Sequence, residues 1–350
     1  MATTYKTFLN NDVTSTRTLL HEAIPITGTI VSGTYSEAST TTSNIKNYGH
    51  GMFQSVYDYP YLSSSANHIF DLTCGYSNNS TLSKSSAVSD DQNKKINIYN
   101  QMAQLLVGHD VTGSIREFDQ DGDLTDGTKM REVFFINYAR LLNKDEIKKG
   151  SVSLQFMTGG TPNARGDVLT LADHNAQNEF RINSPAGEYG ILYTSSATPN
   201  SDSGVGHIYY QAGIAVITAS IFDGQFGPND QNLETTASVD ILLSGSAISS
   251  SCDGIRNAMF NFQYNNTTEL NSTIYFCRAN HNDFNYSTNP TYLTGSKIRV
   301  KTNTFDTPVS YITTVGLYSA DNELLAVAKL SEPLKKQPDT ELTLRVRLDY

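Results

Sequence analysis

The closing stretch LTLRVRLDY constrains the fold more than any other segment. Leu342, Leu344, Val346, Leu348 and Tyr350 point one way; Thr343, Arg345, Arg347 and Asp349 point the other. A side-chain period of two belongs to a β-strand with one buried face and one wet face. The same alternation runs through SVSLQF (Val152, Leu154, Phe156), FNFQY (Phe260, Phe262, Tyr264) and KIRVKT (Ile298, Val300). VSYITTVGLY and ELLAVAKL flank a turn-forming cluster, Ser319 to Asn322, as the two arms of a hairpin do. Repeated short strands with frequent turns predict a mainly β chain. The expected architecture is a jelly-roll-like β-sandwich over residues 150–350, with a small number of helices in the first half.

Two segments change the period. In DDQNKKINIYNQMAQLLVGHD, residues Ile96, Tyr99, Met102, Ala103 and Leu106 share one helical face, which predicts a helix over Asn93 to Val107. Ser89 and Gln92 have the spacing of a capping box, and Gly108 suits the stop. KMREVFFINYARLLNKDEIKKG reads as a second helix, although Phe134 and Phe135 equally suit the start of a buried strand. IPITGTIVSGTY reads as a strand, and the Ser/Asn-rich SSSANHIFDLTCGYSNNSTLSKSSAVSDDQ as loop. The domain reading is an N-terminal arm at 1–22, a mixed region with two helices at 23–149 and the sandwich at 150–350.

Charged residues make up 17% of the 350, below the roughly 25% of ordinary domains, and Ser, Thr, Asn and Gly fill the gap. Net charge is −10 and the sequence pI is about 5.1. Phosphate binding needs a basic surface, so neither nucleic acid nor an anionic membrane is expected as a partner. MATTYKTFLNND lacks the basic start and apolar run of a secretory signal, and HIYYQAGIAVITASIF is too short to span a bilayer. A soluble, cytoplasmically made protein is the expectation. Cys74, Cys252 and Cys277 form no C-x-x-C pair and are expected as reduced, buried thiols.

The acidic loop GSIREFDQDGDLTDG is the one metal candidate. Asp119, Asp121 and Asp123 have the spacing of the first three ligands of a calcium loop. The glycine due after the third ligand is Leu124, and the twelfth position is Met130 rather than Glu. The register that starts at Asp121 places Glu132 last but Asp126 where glycine belongs. A solvated turn is therefore expected, with no metal and no cofactor. No G-x-S-x-G, H-E-x-x-H or phosphate-cradling motif occurs, and the seven histidines have no ligand spacing, so no catalytic residue is assigned and no enzyme is expected. The chain has 20 Tyr, 15 Phe and no Trp. Tyr-rich loops such as YGHGMFQSVYDYPYL and NHNDFNYSTNPTYL suit either sugar stacking or protein interfaces, and Phe284, Tyr286 and Tyr292 are the interface candidates.

The segment VSYITTVGLYSADNELLAVAKLSEPLKKQPDTELTLRVRLDY resembles a hairpin and final strand found in virion proteins of tailed bacteriophages. MAQLLVGHDVTGSIREFD, FFINYARLLNKDEIKKGS and INSPAGEYGILY extend the likeness toward structural proteins of T-even-like, contractile-tailed phages, including those of marine bacteria. The resemblance covers roughly residues 90–350 and implies a non-enzymatic building block of the neck, tail or baseplate. It would be assembled in the host cytoplasm and held in a symmetric ring or array by contacts with itself and other virion proteins. Two alternatives stand beside it: a carbohydrate-binding or depolymerising receptor-recognition protein of the tail, and a capsid decoration protein.

Overall fold

The computed structural model describes residues 5–27, 43–84, 89–161, 164–194, 203–222, 240, 243–244, 247–285, 293–294, 297–298, 303, 305 and 307–350. Strands hold 46% of the structure against 19% helical, in several antiparallel sheets, so the protein is mainly β. The chain forms two compact units. One is Leu20–Thr268; the other joins Met1–Leu19 to Glu269–Tyr350. The expected boundary near residue 150 falls inside the first of these.

The Leu20–Thr268 unit holds the core. Its seven-stranded sheet runs Tyr189–Leu192 (β11), Gly206–Tyr209 (β12), Ile214–Thr218 (β13), Glu132–Tyr138 (β7), His68–Tyr76 (β4), Gln54–Tyr57 (β3), Ile45–Asn47 (β2). Strand β7 corrects the second expected helix. Its run Val133, Phe134, Phe135 and Ile136 is fully buried, so both strand faces are covered. A helix has a single apolar stripe and would turn part of that run toward water. The remainder of the segment supplies Lys129–Met130 (β6), one helical turn at Arg140–Asn143 and Glu146–Ile147 (β8). Strand β4 is a second correction, because it lies in the Ser/Asn-rich stretch expected as loop. Its Ile69, Phe70, Leu72, Cys74 and Tyr76 are buried. The apolar outer part of HIYYQAGIAVITASIF folds as the β12–β13 hairpin, and no helix among the described residues is long and apolar enough to cross a membrane.

A second sheet in this unit pairs Ser153–Thr161 (β9) with Ala164–Ala172 (β10), and pairs β9 and β8 with the start of the long strand Met259–Ala279 (β14). Val152, Leu154, Phe156, Phe262 and Tyr264 are buried, as the alternation requires. The two sheets meet through edge-on aromatic contacts: Phe134–Phe222 at 5.9 Å, Phe222–Phe156 at 5.0 Å and Phe156–Phe262 at 5.0 Å between ring centroids. Tyr138 and Tyr264 add a contact at 5.0 Å. This packing is sandwich-like.

The expected first helix forms over Asp90–Leu106 with both arms of the capping box: Gln92 N donates to Ser89 Oγ at 3.3 Å and Ser89 N to Gln92 Oε1 at 2.9 Å. It lies so close to β4 that a Cβ on Gly75 would sit 2.6 Å from the Lys95 carbonyl oxygen, which only glycine permits. Helices are not confined to the first half, however. Ile248–Ala258 is also helical and buries Ile248, Cys252, Ile255 and Ala258. Cys252 Sγ lies 3.3 Å from the Leu72 carbonyl oxygen. Cys74 and Cys252 are free and buried, and Cys277 is free and half-buried.

The Met1–Leu19 and Glu269–Tyr350 unit is built differently. Residues expected as an N-terminal arm form, from Val13, the strand Val13–Thr27 (β1) of the same sheet as β14. Within this unit Ser15 Oγ lies 3.3 Å from Thr273 Oγ1, and Arg17 pairs with Glu269. On its other edge β14 pairs with Leu342–Asp349 (β19), from Ser272↔Asp349 to Ala279↔Leu342. Strand β19 alternates as expected: Leu342, Leu344, Val346 and Leu348 are covered or half-covered, and the residues between them are exposed. The hairpin also forms, pairing Ser310–Tyr318 (β17) with Leu324–Lys336 (β18). It is a separate two-stranded sheet. Its register slips between Ile312 and Thr314, where Pro333 falls in the unpaired part of β18 and no N–H is missed.

Candidate functional site

The contiguous buried apolar cluster and the side chains packed against it lie, among the described residues, between Ile24 and Tyr264. Among the described residues of the Met1–Leu19 and Glu269–Tyr350 unit, only Ala279, Leu317 and Val346 are buried apolar side chains. Exposed large apolar side chains concentrate in the same unit. On the hairpin, Tyr311 (63% exposed), Leu325 (68%) and Val327 (52%) face solvent, with Tyr318 and Leu324 beside them. Leu325 and Val327 lie two residues apart on β18, and Val327 stands opposite Gly316, over which the Tyr318 ring and Leu324 fold.

Polar anchors hold the base of the hairpin in place. The buried Lys336 ammonium donates to Asn285 Oδ1 at 2.8 Å, Gln337 O at 2.8 Å and His281 O at 3.2 Å. Ser310 Oγ donates to the Phe284 carbonyl. Phe284 has a left-handed backbone (φ 52°) and an exposed ring. It is one of three aromatics that the sequence proposes for an interface; Tyr286 and Tyr292 lie outside the described residues. A groove of about 720 Å³ in this unit is lined by Tyr5, Phe8, Phe276, Tyr311, Leu317 and Leu344, among others. Tyr5 packs on Tyr318 with centroids 4.9 Å apart. Tyr5 and Phe8, in the segment expected as an N-terminal arm, therefore line this groove together with polar residues such as Asp12 and Arg278. These two aromatics were the available signal.

The acidic loop lies between Phe118–Asp119 (β5) and β6, in the Leu20–Thr268 unit. It is more than a solvated turn. Asp119, Asp121 and Asp123 each bring a carboxylate oxygen within 4.8 Å of the others. Asp119 is fully buried. Its Oδ2 accepts from Leu124 N at 2.9 Å and pairs with Lys129 at 2.9 Å, while its Oδ1 is buried and has no hydrogen-bond partner. Burial pushes the Asp119 carboxyl up, Lys129 pulls it down, and the neighbouring Asp123 and Asp121 push it up again. Contacts from the far side fix the loop. Arg181 Nε and Nη2 donate to Asp121 O at 3.3 and 3.2 Å, Asn183 Nδ2 donates to Gly122 O at 2.9 Å, and the Tyr189 hydroxyl lies 2.9 Å from Gly122 O. Gly122 has φ +72°, and a Cβ there would sit 3.0 Å from that hydroxyl.

Two other polar groups bear on chemistry. Asp71 Oδ1 accepts from Ser55 Oγ at 2.5 Å and lies 2.8 Å from His68 Nε2. The carboxylate thus sits between serine and imidazole, whereas base activation of a serine needs the imidazole in the middle. Asp173 is buried and accepts from Gly150 N at 2.7 Å, Val152 N at 3.0 Å and Tyr210 Oη at 3.0 Å. Burial raises its carboxyl to about 6, the hydrogen bonds opposing that shift. These bonds tie the start of β9 to the end of β10, which is a structural role. Comparison with protein family models, with characterised proteins and with solved structures finds no match for this chain.

Proposed function

We propose that the protein is a structural component of a bacteriophage particle, of the neck, tail or baseplate, and that it acts through protein–protein contacts in a symmetric assembly of its own copies. The observation that carries the reading is the Met1–Leu19 and Glu269–Tyr350 unit, where ordered strands expose apolar faces and bury almost none. Fixing each residue's backbone costs roughly 1–2 kcal/mol, which burial must offset. A unit of this kind gains the missing burial when a second copy covers it. Its strands also offer hydrogen-bonding edges: β1 and β19 each pair only with β14, and β17 and β18 only with each other, among the described residues. Open edges and exposed apolar side chains are the means by which chains add strands to one another, and closed rings are the usual way such contacts are satisfied. The phage assignment itself rests on the resemblance of the hairpin and final strand.

The test is mass spectrometry of purified particles from infected cells that express the gene. The reading expects the protein in the particles at several copies each. Abundance in the lysate together with absence from the particles refutes it.

A glycan-contact reading is favoured by one separate observation. Tyr48, His50 and Phe53 cluster at the β2–β3 edge, with Tyr48 and His50 stacked at 5.1 Å and the Lys46 ammonium 4.7 Å from the Tyr48 ring centre. Stacked rings beside polar groups are what sugars bind against. A glycan array distinguishes the readings, since saturable binding abolished by Tyr48→Ala supports glycan recognition.

A further inference from the structure

We propose that Asp119, Asp121 and Asp123 form a binding site for a single Ca²⁺ ion. The inference is independent of the phage reading.

The first observation is the convergence of the three carboxylates. Oxygens bound to one calcium at 2.3–2.6 Å lie up to about 5 Å apart on opposite sides of the ion, and the three carboxylates place oxygens within 4.8 Å of one another. The second observation is Asp119 Oδ1. This oxygen belongs to a fully buried side chain and has no donor. A buried, unpaired carboxylate oxygen is costly, so native structures seldom leave one without a partner. It lies on the side of the loop where Asp121 is, since a Cβ on Gly127 would sit 3.8 Å from both Asp119 Oδ1 and Asp121 Oδ2. Lys129 does not meet the need, since it pairs with the other oxygen, Oδ2.

Leu124 stands where the sharp turn of a calcium loop has glycine. Leu124 nevertheless adopts the left-handed conformation that the glycine would supply, with φ 67°. The position fails in residue identity and is met in conformation. The bidentate Glu at the end of a standard loop is missing, Met130 standing there buried in the core, so water must complete the shell. Fewer protein ligands predict modest affinity, in the range of about 0.1–1 mM seen for weak extracellular modules. Calcium is preferred to magnesium because magnesium demands near-ideal octahedral geometry at about 2.0–2.1 Å.

Isothermal titration of the full chain, stripped with chelator, uses CaCl2 as the probe and MgCl2 as the comparison. The expected result is one Ca²⁺ per chain with a Kd at or below about 1 mM, and a melting temperature raised by Ca²⁺ more than by equal Mg²⁺. Asp119→Asn risks the fold, so Asp121→Asn and Asp123→Asn carry the test. Each should match the chelated wild type in melting temperature and bind Ca²⁺ more than about tenfold more weakly. A titration that stays flat through that range overturns the site, as does wild-type affinity in both variants.

Discussion

The two units solve the problem of stability in opposite ways. In Leu20–Thr268 the runs VFFI of β7 and IAVI of β13 are buried, and helices and a second sheet cover them. In the Met1–Leu19 and Glu269–Tyr350 unit the strands are long and paired but bury one side chain in several. Regular strand geometry and a core are therefore separate properties. Hydrogen-bonded pairing and cross-strand contacts order a hairpin, but burial supplies most of what makes one stable in water. Where burial is missing, the apolar surface remains for a partner to cover.

The largest effect should come from the core. Phe134→Ala removes a ring that contacts Phe222 at 5.9 Å and should destabilise the chain by about 3–5 kcal/mol in denaturant unfolding. A loss under about 1 kcal/mol would mean the sheets are not packed as described.

Next comes Asp173. Its folded value of about 6 exceeds the ordinary 3.8, so the native state holds the proton more tightly than the unfolded chain. This site's contribution is therefore fully present below about pH 4 and is lost as pH rises through about 6, amounting to roughly 2–3 kcal/mol. Stability measured across that window should fall with rising pH in the wild type by that much more than in Asp173→Asn. Parallel curves would show that Asp173 is not buried as described.

Ser89→Ala should cost about 1 kcal/mol, since it removes one arm of the capping box. The smallest stability change is expected on the hairpin. Leu325→Ser combined with Val327→Ser alters two exposed side chains and should shift stability by no more than about 1 kcal/mol when the chain is dilute. A loss comparable to that of Phe134→Ala would erase the contrast between the units.

Much of this was legible in the sequence, and the reasons for the rest are physical. Alternation marks β19, two apolar runs around the turn-forming Ser319 to Asn322 mark the hairpin, and Ser89, Gln92 and Gly108 mark the first helix. Strand β7 was harder, because a run buried on both faces has no period to read and Phe134–Phe135 fits either state. Strand β4 was hidden by its polar flanks, since serine and asparagine content says little about a nine-residue stretch between them. The exposed hairpin was misleading in another sense. Its apolar residues signal burial somewhere, and alternation does not say whether the cover belongs to the same chain. In the acidic loop Leu124 and Met130 break the calcium pattern by identity, whereas the turn at residue 124 depends on its backbone, which is left-handed.

Sedimentation velocity of the full chain over a range of concentrations tests most directly whether the hairpin face is an interface between copies. The wild type should form a discrete oligomer, and the Leu325→Ser, Val327→Ser chain should sediment as a monomer with its melting temperature nearly unchanged. A wild type that stays monomeric at every concentration, or a variant that assembles equally well, would contradict the account.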